Sequence, residues 1–365
     1  MNLEIKLNFA PSAAFVGVLA ELNERFSDWT DGSYDWANQT VDFLHSPVQL
    51  PRFDDSLYQT PLSRRAVNDL LQVAVALLSG NYPLVRDYLK ETRFAFVVGY
   101  PRSGGSYLTK ELLRAVGLDH KRVSEALAHD GFPELRDTWY DWKGNRPYYH
   151  LQETYFQVAE FLVIANLYFK TKTARLADGR WLAPKKFHKM VFWAGSFKML
   201  LGQGRADYLV TVRHPLPTAI SIYEKCGGLP ADGLFPAMAT RSAIEHWVLD
   251  DLLHLGFGQA EIARMSYFEA VLASWTNFYT RMATSGMFLG DRQEIKTIAY
   301  GKAALEAAAK AYRDQAGLQE LPEPVLEHDK AGMHREWQAK GDAAVQALAA
   351  TWATLGLKFP TLTTA

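Results

Sequence analysis

Residues 93 to 117, RFAFVVGYPRSGGSYLTKELLRAVG, constrain the fold more than any other stretch of the chain. Residues 94–98 are an almost continuous apolar run with two adjacent valines, the pattern of a strand buried on both faces in a parallel sheet. A turn of Gly, Pro and Ser follows, from Gly99 through Pro101 to Ser106. Leu108, Leu112, Leu113 and Val116 then recur at helical spacing, and Gly117 supplies a stop. The order is strand, small-residue loop, helix. Glycines let main-chain amides approach an anion closely, and the helix N-terminus adds its dipole. Such a loop can cradle a phosphate. Gly99, Gly104 and Ser106 keep the spacing of the common ATP and GTP loop, but Gly105 stands where that loop has its lysine. The missing lysine argues against ordinary ATP or GTP chemistry, while Arg102 puts a cation two residues before Gly104. The plain alternative is a Gly-rich turn with no ligand.

Composition narrows the field. With 365 residues, 48% of them hydrophobic, the chain can bury a sizeable core, and its length allows one to three domains. A net charge of −1 gives no overall field for nucleic acid or an anionic membrane, so no nucleic-acid partner is expected. Any polyanionic ligand must be held by local basic groups. The single cysteine, Cys226, excludes an intrachain disulfide and fits a reducing compartment, so a cytoplasmic location is expected. The first residues carry Glu4 and only one lysine, which suits an ordinary helix better than a signal peptide. The longest apolar run, residues 161–169, is short and includes Asn166, so no membrane span is expected.

The rest of the chain repeats the strand–helix alternation. Residues 1–92 are expected to be a largely helical segment packed on the core, with helices at 14–26 and 66–78. Residues 118–153 are irregular and rich in aromatics, and 154–172 form a helix. After WLAPKKFHKM at 181–190, a short helix at 196–204 leads to a second buried strand, YLVTV at 208–212. Arg213 ends that strand, and a helix over 218–225 carries Ser221. Residues 243–255 and 267–282 are helical, and a third strand at 294–299 leads into a helix at 303–316. A polar loop spans 317–336, and a last helix covers 343–353. Strands alternating with long helices imply parallel βαβ units, an α/β fold of three layers with helices on both faces of the sheet. Right-handed crossovers put the loops after the strands on one edge, where ligands bind. Arg102 and Arg213 both follow strands, so one site can collect both.

These features resemble a known family. YPRSGGSY at 100–107 looks like the 5′-phosphosulfate loop of the sulfotransferases that use 3′-phosphoadenosine 5′-phosphosulfate. VRHPLPTAIS at 212–221 looks like their 3′-phosphate motif, Arg-x-Pro-x5-Ser. Lys186-Phe187-His188 is similar to the Lys-x-His segment of the cytosolic branch. Residues 294–317 and Lys330-Ala331-Gly332 match later family segments more loosely. The resemblance covers about residues 93–340 and implies a P-loop-like sulfotransferase domain over 93–365. Arg102 stands where the cytosolic branch has lysine, Gly105 replaces the usual threonine, and Tyr107 stands where a tryptophan often stacks on adenine.

The resemblance implies 3′-phosphoadenosine 5′-phosphosulfate as donor and adenosine 3′,5′-bisphosphate as product. Ser103, Gly104, Gly105, Ser106 and Tyr107 would hold the 5′-phosphate through main-chain amides, with Arg102 neutralising charge on the leaving oxygen. Arg213 and Ser221 would grip the 3′-phosphate, which ATP lacks. Lys186 would sit near the transferring group, and His188 would take the acceptor proton. Glu134, Asp130 and His129 are the alternative bases. There is no His-Glu-x-x-His and no cysteine pair, and the donor needs no metal. The acceptor, a small molecule, glycan or lipid, would meet the aromatic stretch 132–169. A P-loop kinase of small molecules and a non-catalytic nucleotide-binding module are the competing readings; Gly105 counts against the first, and the retained grips and base against the second.

Overall fold

The computed structural model describes residues 11–25, 60–129, 151–187, 194–290, 292–318 and 334–362. Its centre is an all-parallel sheet of β1 (Thr92–Gly99), β2 (Trp181–Lys186), β3 (Ala206–Val212) and β4 (Ile295–Ala299), in spatial order β2-β1-β3-β4. Helices α1 (Ala13–Arg25), α2 (Pro61–Leu78) and α3 (Tyr82–Tyr88) precede β1. After it come α4 (Gly105–Ala115), α5 (Glu125–Ala128) and α6 (Leu151–Lys172), and α7 (Ala194–Leu201) links β2 to β3. Helices α8 (Pro215–Lys225), α9 (Ala243–His254), α10 (Gln259–Ile262) and α11 (Tyr267–Thr284) lie between β3 and β4. Two more follow β4: α12 (Lys302–Ala316) and α13 (Arg335–Thr354).

Strand periodicity builds the layers. Alternate side chains point to opposite faces. Ala95, Val97, Leu182, Leu209 and Ile298 meet Leu108 and Leu112 of α4 and Leu305 and Ala309 of α12 on one face. Phe94, Phe96, Val98, Tyr208, Val210 and Val212 face the larger core, with Phe161 of α6, Phe197 of α7 and the aromatic residues of α11. Every residue of β3 is buried, as an apolar run between two helical layers requires. The three-layer α/β/α fold expected from the sequence is therefore the one observed, with a mostly helical segment before β1. That segment joins the same large core through Phe15, Leu19, Leu70 and Val85.

The differences are informative. β2 was not expected as a strand; it holds Pro184 and two lysines within six residues. It sits at the sheet edge, where proline's missing N–H costs no ladder bond. Helix α2 starts earlier than its apolar spacing suggested, because Pro61 opens it and the Thr60 side chain accepts from Ser63 N–H. Helix α13 starts at Arg335, within the expected polar loop, since Trp337 buries itself against Phe268 in a parallel stack 4.8 Å away. None of the described helices is long and apolar enough to cross a membrane.

Candidate functional site

The loop between β1 and α4 is built tightly at its start. A Cβ on Gly99 would lie 2.2 Å from Thr211 Oγ1 and 2.6 Å from Thr211 O, so β1 and β3 close on each other only through glycine. Ser103 is buried; its N–H and Oγ–H both donate to Tyr100 O, at 3.1 and 2.6 Å, and its Oγ lies 2.9 Å from Thr211 Oγ1. The Ser103 amide is thus engaged within the loop. On either side of Ser103 the backbone turns left-handed: Arg102 has φ 68° and Gly104 φ 93°. Left-handed geometry in a non-glycine residue is costly and marks a site worth explaining. Alternating hands in successive residues also curl main-chain amides toward one point, the form of an anion-binding nest.

Helix α4 begins at once, with no side-chain cap on its N-terminus. Its first internal bond runs from Leu108 N–H to Gly104 O. The amides of Gly105 and Ser106 therefore point out of the helix end with no acceptor within the helix. Ser106 is exposed there, while Tyr107 is half-buried against the α4–α12 core. Gly105 is not required sterically: its nearest would-be neighbours are Val97 Cγ1 at 3.6 Å and Lys186 Cε at 3.8 Å. Lys186, from the C-terminal end of β2, thus brings its long side chain alongside the position that lacks the loop lysine.

The second motif meets the first directly. Arg102 Nε donates to Ser221 Oγ at 2.9 Å, and Arg213 Nη1 donates to the Arg102 carbonyl at 3.3 Å. These groups are 119 and 111 residues apart in the chain. Arg213 and Ser221 are both largely buried, at 6% and 7% exposure, whereas Arg102 is exposed. The Arg213 guanidinium lies over the Tyr300 ring, 4.2 Å from its centroid, and Trp275 Nε1 donates to Arg213 O at 3.1 Å. Tyr300 also packs against Gly104, where a Cβ would come within 2.9 Å of its ring. Tyr300 and Thr211 are the residues that the sequence did not single out. The one signal for Tyr300 was its place directly after a strand; Thr211 is hidden inside one.

Behind the loop lies a polar chain. Tyr279 O–H donates to Thr211 O at 2.8 Å and accepts from Tyr100 N–H at 3.2 Å. Tyr100 O–H donates to Ser274 Oγ at 3.0 Å, and the Asp251 carboxylate close to Ser274 accepts from Asn277 Nδ2. Burial pushes the Asp251 carboxyl up to about 6, against the opposing pull of Ser274, Asn277 and Arg281. Near the end of β2, Lys185 is fully buried and donates to Ala126 O and His129 O, at 3.1 and 3.0 Å. His129 itself is exposed. His188, Asp130 and Glu134 lie outside the described residues.

The arrangement brings together Arg102, Arg213, Ser221, the α4 amides and Lys186 at the C-terminal edge of the sheet. Such a set can hold a ligand with two separated anionic groups. No family model matches the chain, and no curated protein sequence matches it. Among solved structures it is similar to a sulfotransferase domain from the curacin biosynthetic pathway, at 13% identity and a TM-score of 0.33, over 74% of this chain and 93% of that one.

Proposed function

We propose that this protein is a sulfotransferase that moves a sulfuryl group from 3′-phosphoadenosine 5′-phosphosulfate to a hydroxyl or amine of a small-molecule, glycan or lipid acceptor. The observation that carries this reading is the direct hydrogen bonding of the two anion-gripping motifs, Arg102 to Ser221 and Arg213 to the Arg102 carbonyl. A nucleotide with phosphates on both its 5′ and 3′ sides fits a site whose two grips adjoin. An ordinary triphosphate uses one grip and a loop lysine, and position 105 is glycine.

When bound, the donor supplies an activated sulfur whose bond to the 5′-phosphate oxygen breaks as the bond to the acceptor forms. The chain's residues do the rest. The outward amides of Gly105 and Ser106, at the positive end of α4, hold the 5′-phosphate. Arg102 and Lys186 neutralise the charge that grows on the leaving oxygen, and such stabilisation is strongest in the transition state. Arg213 and Ser221 hold the 3′-phosphate, with the Tyr300 ring lying against the guanidinium. His188 accepts the acceptor proton, two residues beyond Lys186. The reducing compartment suggested by a lone cysteine, Cys226, suits a cytoplasmic enzyme.

Calorimetry with adenosine 3′,5′-bisphosphate, ADP and ATP tests the reading. The bisphosphate should bind at least about tenfold tighter, the worth of one charge-assisted hydrogen bond. Equal affinity for ADP and the bisphosphate would refute it.

A further inference from the structure

The second motif is fastened from behind by a residue on the last helix. His214, next to Arg213, is 2% exposed and caps the N-terminus of α8, the helix that carries Ser221. Its Nδ1 accepts from Leu216 N–H at 3.2 Å, and its Nε2 lies 3.1 Å from Asp342 Oδ1 on α13. A main-chain N–H can only donate, so Nδ1 must present its lone pair. The ring proton is then on Nε2 and is donated to Asp342. Burial lowers the His214 pKa, against the opposing pull of Asp342, so the ring is neutral. Helix α13 is shaped for this contact: a Cβ on Gly341 would lie 2.8 Å from His214 Cε1. On the other side, Trp275 holds the Arg213 carbonyl.

We infer that Asp342 is a positioning residue for the 3′-phosphate grip: by keeping the His214 proton on Nε2, it maintains the cap that seats α8 behind Arg213 and Ser221. The inference rests on the 3′-phosphate reading above. Without an acceptor at Nε2 the proton can move to Nδ1, where it meets the Leu216 N–H and the cap is lost. Asp342 itself is half exposed and touches neither Arg213 nor Ser221 in any of the bonds described, so it acts through His214.

The test is Asp342→Ala beside Asp342→Asn, whose carbonyl can still accept the Nε2 proton. Two quantities are read in each: the histidine ring nitrogen signals by ¹⁵N NMR, and the affinity ratio of adenosine 3′,5′-bisphosphate to adenosine 5′-monophosphate. Asp342→Ala should shift the His214 signals toward the Nδ1–H form and lower the ratio about fivefold, the equivalent of one lost N-cap. Asp342→Asn should keep both at parental values. In His214→Asn, which caps without Asp342, adding Asp342→Ala should change nothing further. An unchanged ratio in Asp342→Ala, or an equal loss in Asp342→Asn, overturns the inference. A parent that does not distinguish the two nucleotides overturns the 3′-phosphate reading instead, and the inference with it, even if the ring signals report the Nε2–H form.

Discussion

Replacing Asp251 with asparagine should change how the protein's stability depends on pH, and the size of the change follows from the burial of this carboxylate. Asp251 is held near a pKa of about 6, against an ordinary value of 3.8. A raised carboxyl pKa means that the folded state binds the proton more tightly than the unfolded chain does. Its stabilising contribution is complete below the unfolded pKa and is lost as pH rises through the folded one. A shift of about two pKa units, at about 1.4 kcal/mol each, corresponds to about 3 kcal/mol between those limits. The side chain is only 11% exposed, so solvent screening takes little from that figure. Asp251 Oδ2 is buried without a hydrogen-bond partner among the described residues, so the asparagine amide placed there carries its own cost. That cost is the same at every pH and cancels in the difference. Urea unfolding of parent and Asp251→Asn at several pH values from about 3.5 to 7.5 should show the variant gaining about 3 kcal/mol on the parent across the series. Curves that stay parallel would refute the burial that raises the Asp251 carboxyl.

Three further outcomes are expected. Arg213→Ala should weaken adenosine 3′,5′-bisphosphate about tenfold to hundredfold and leave a nucleotide without the 3′-phosphate little changed, by calorimetry; equal losses would make Arg213 structural only. Gly99→Ala should cost about 1–3 kcal/mol in thermal or chemical unfolding, because the clash is with the fixed main chain of Thr211 as well as its side chain; parental stability would mean that β1 and β3 stand further apart. His188→Ala should cut turnover by about 10²–10⁴ with bisphosphate binding intact, measured after a panel of phenols, sugars and lipid alcohols has supplied an acceptor; near-normal turnover would move the base to Glu134 or Asp130.

Much of the fold was legible because the central strands are unambiguous. Residues 94–98 and 208–212 are apolar without alternation, and only burial between two helical layers explains that pattern. β2 was not legible, because an edge strand can keep Pro184, Lys185 and Lys186 and its assignment depends on its partner β1. Arg102, Arg213 and Ser221 stood out in the sequence as motif residues on two strand–helix units. Their mutual hydrogen bonds were not, since local patterns carry no information about contacts more than a hundred residues apart. Tyr300 shows the same limit: its position depends on Arg213 on one side and Gly104 on the other. His214 is a helix cap, a role within reach of the sequence; that its second nitrogen meets Asp342 required α13 to be in place.

Arg102 separates what the backbone needs from what the chemistry needs. Its φ of 68° is a left-handed conformation that costs an ordinary residue about 1–2 kcal/mol, and glycine almost nothing. Its side chain is exposed and bonds Ser221, so truncation removes an exposed cation and leaves no cavity. Arg102→Ala and Arg102→Gly both lose that cation, but only alanine keeps the conformational penalty. Glycine gives back part of its advantage through the greater freedom of its unfolded chain, about 0.5–1 kcal/mol. Arg102→Gly should therefore be the more stable of the two by about 0.5–1 kcal/mol, whereas at a helical or extended position the order would be reversed. Turnover should fall equally in both, and by more than bisphosphate affinity, because a charge facing the leaving oxygen matters most in the transition state. A glycine variant less stable than the alanine one would refute the left-handed loop. Turnover lost only in proportion to affinity would reduce Arg102 to a ground-state anchor shared with Ser221.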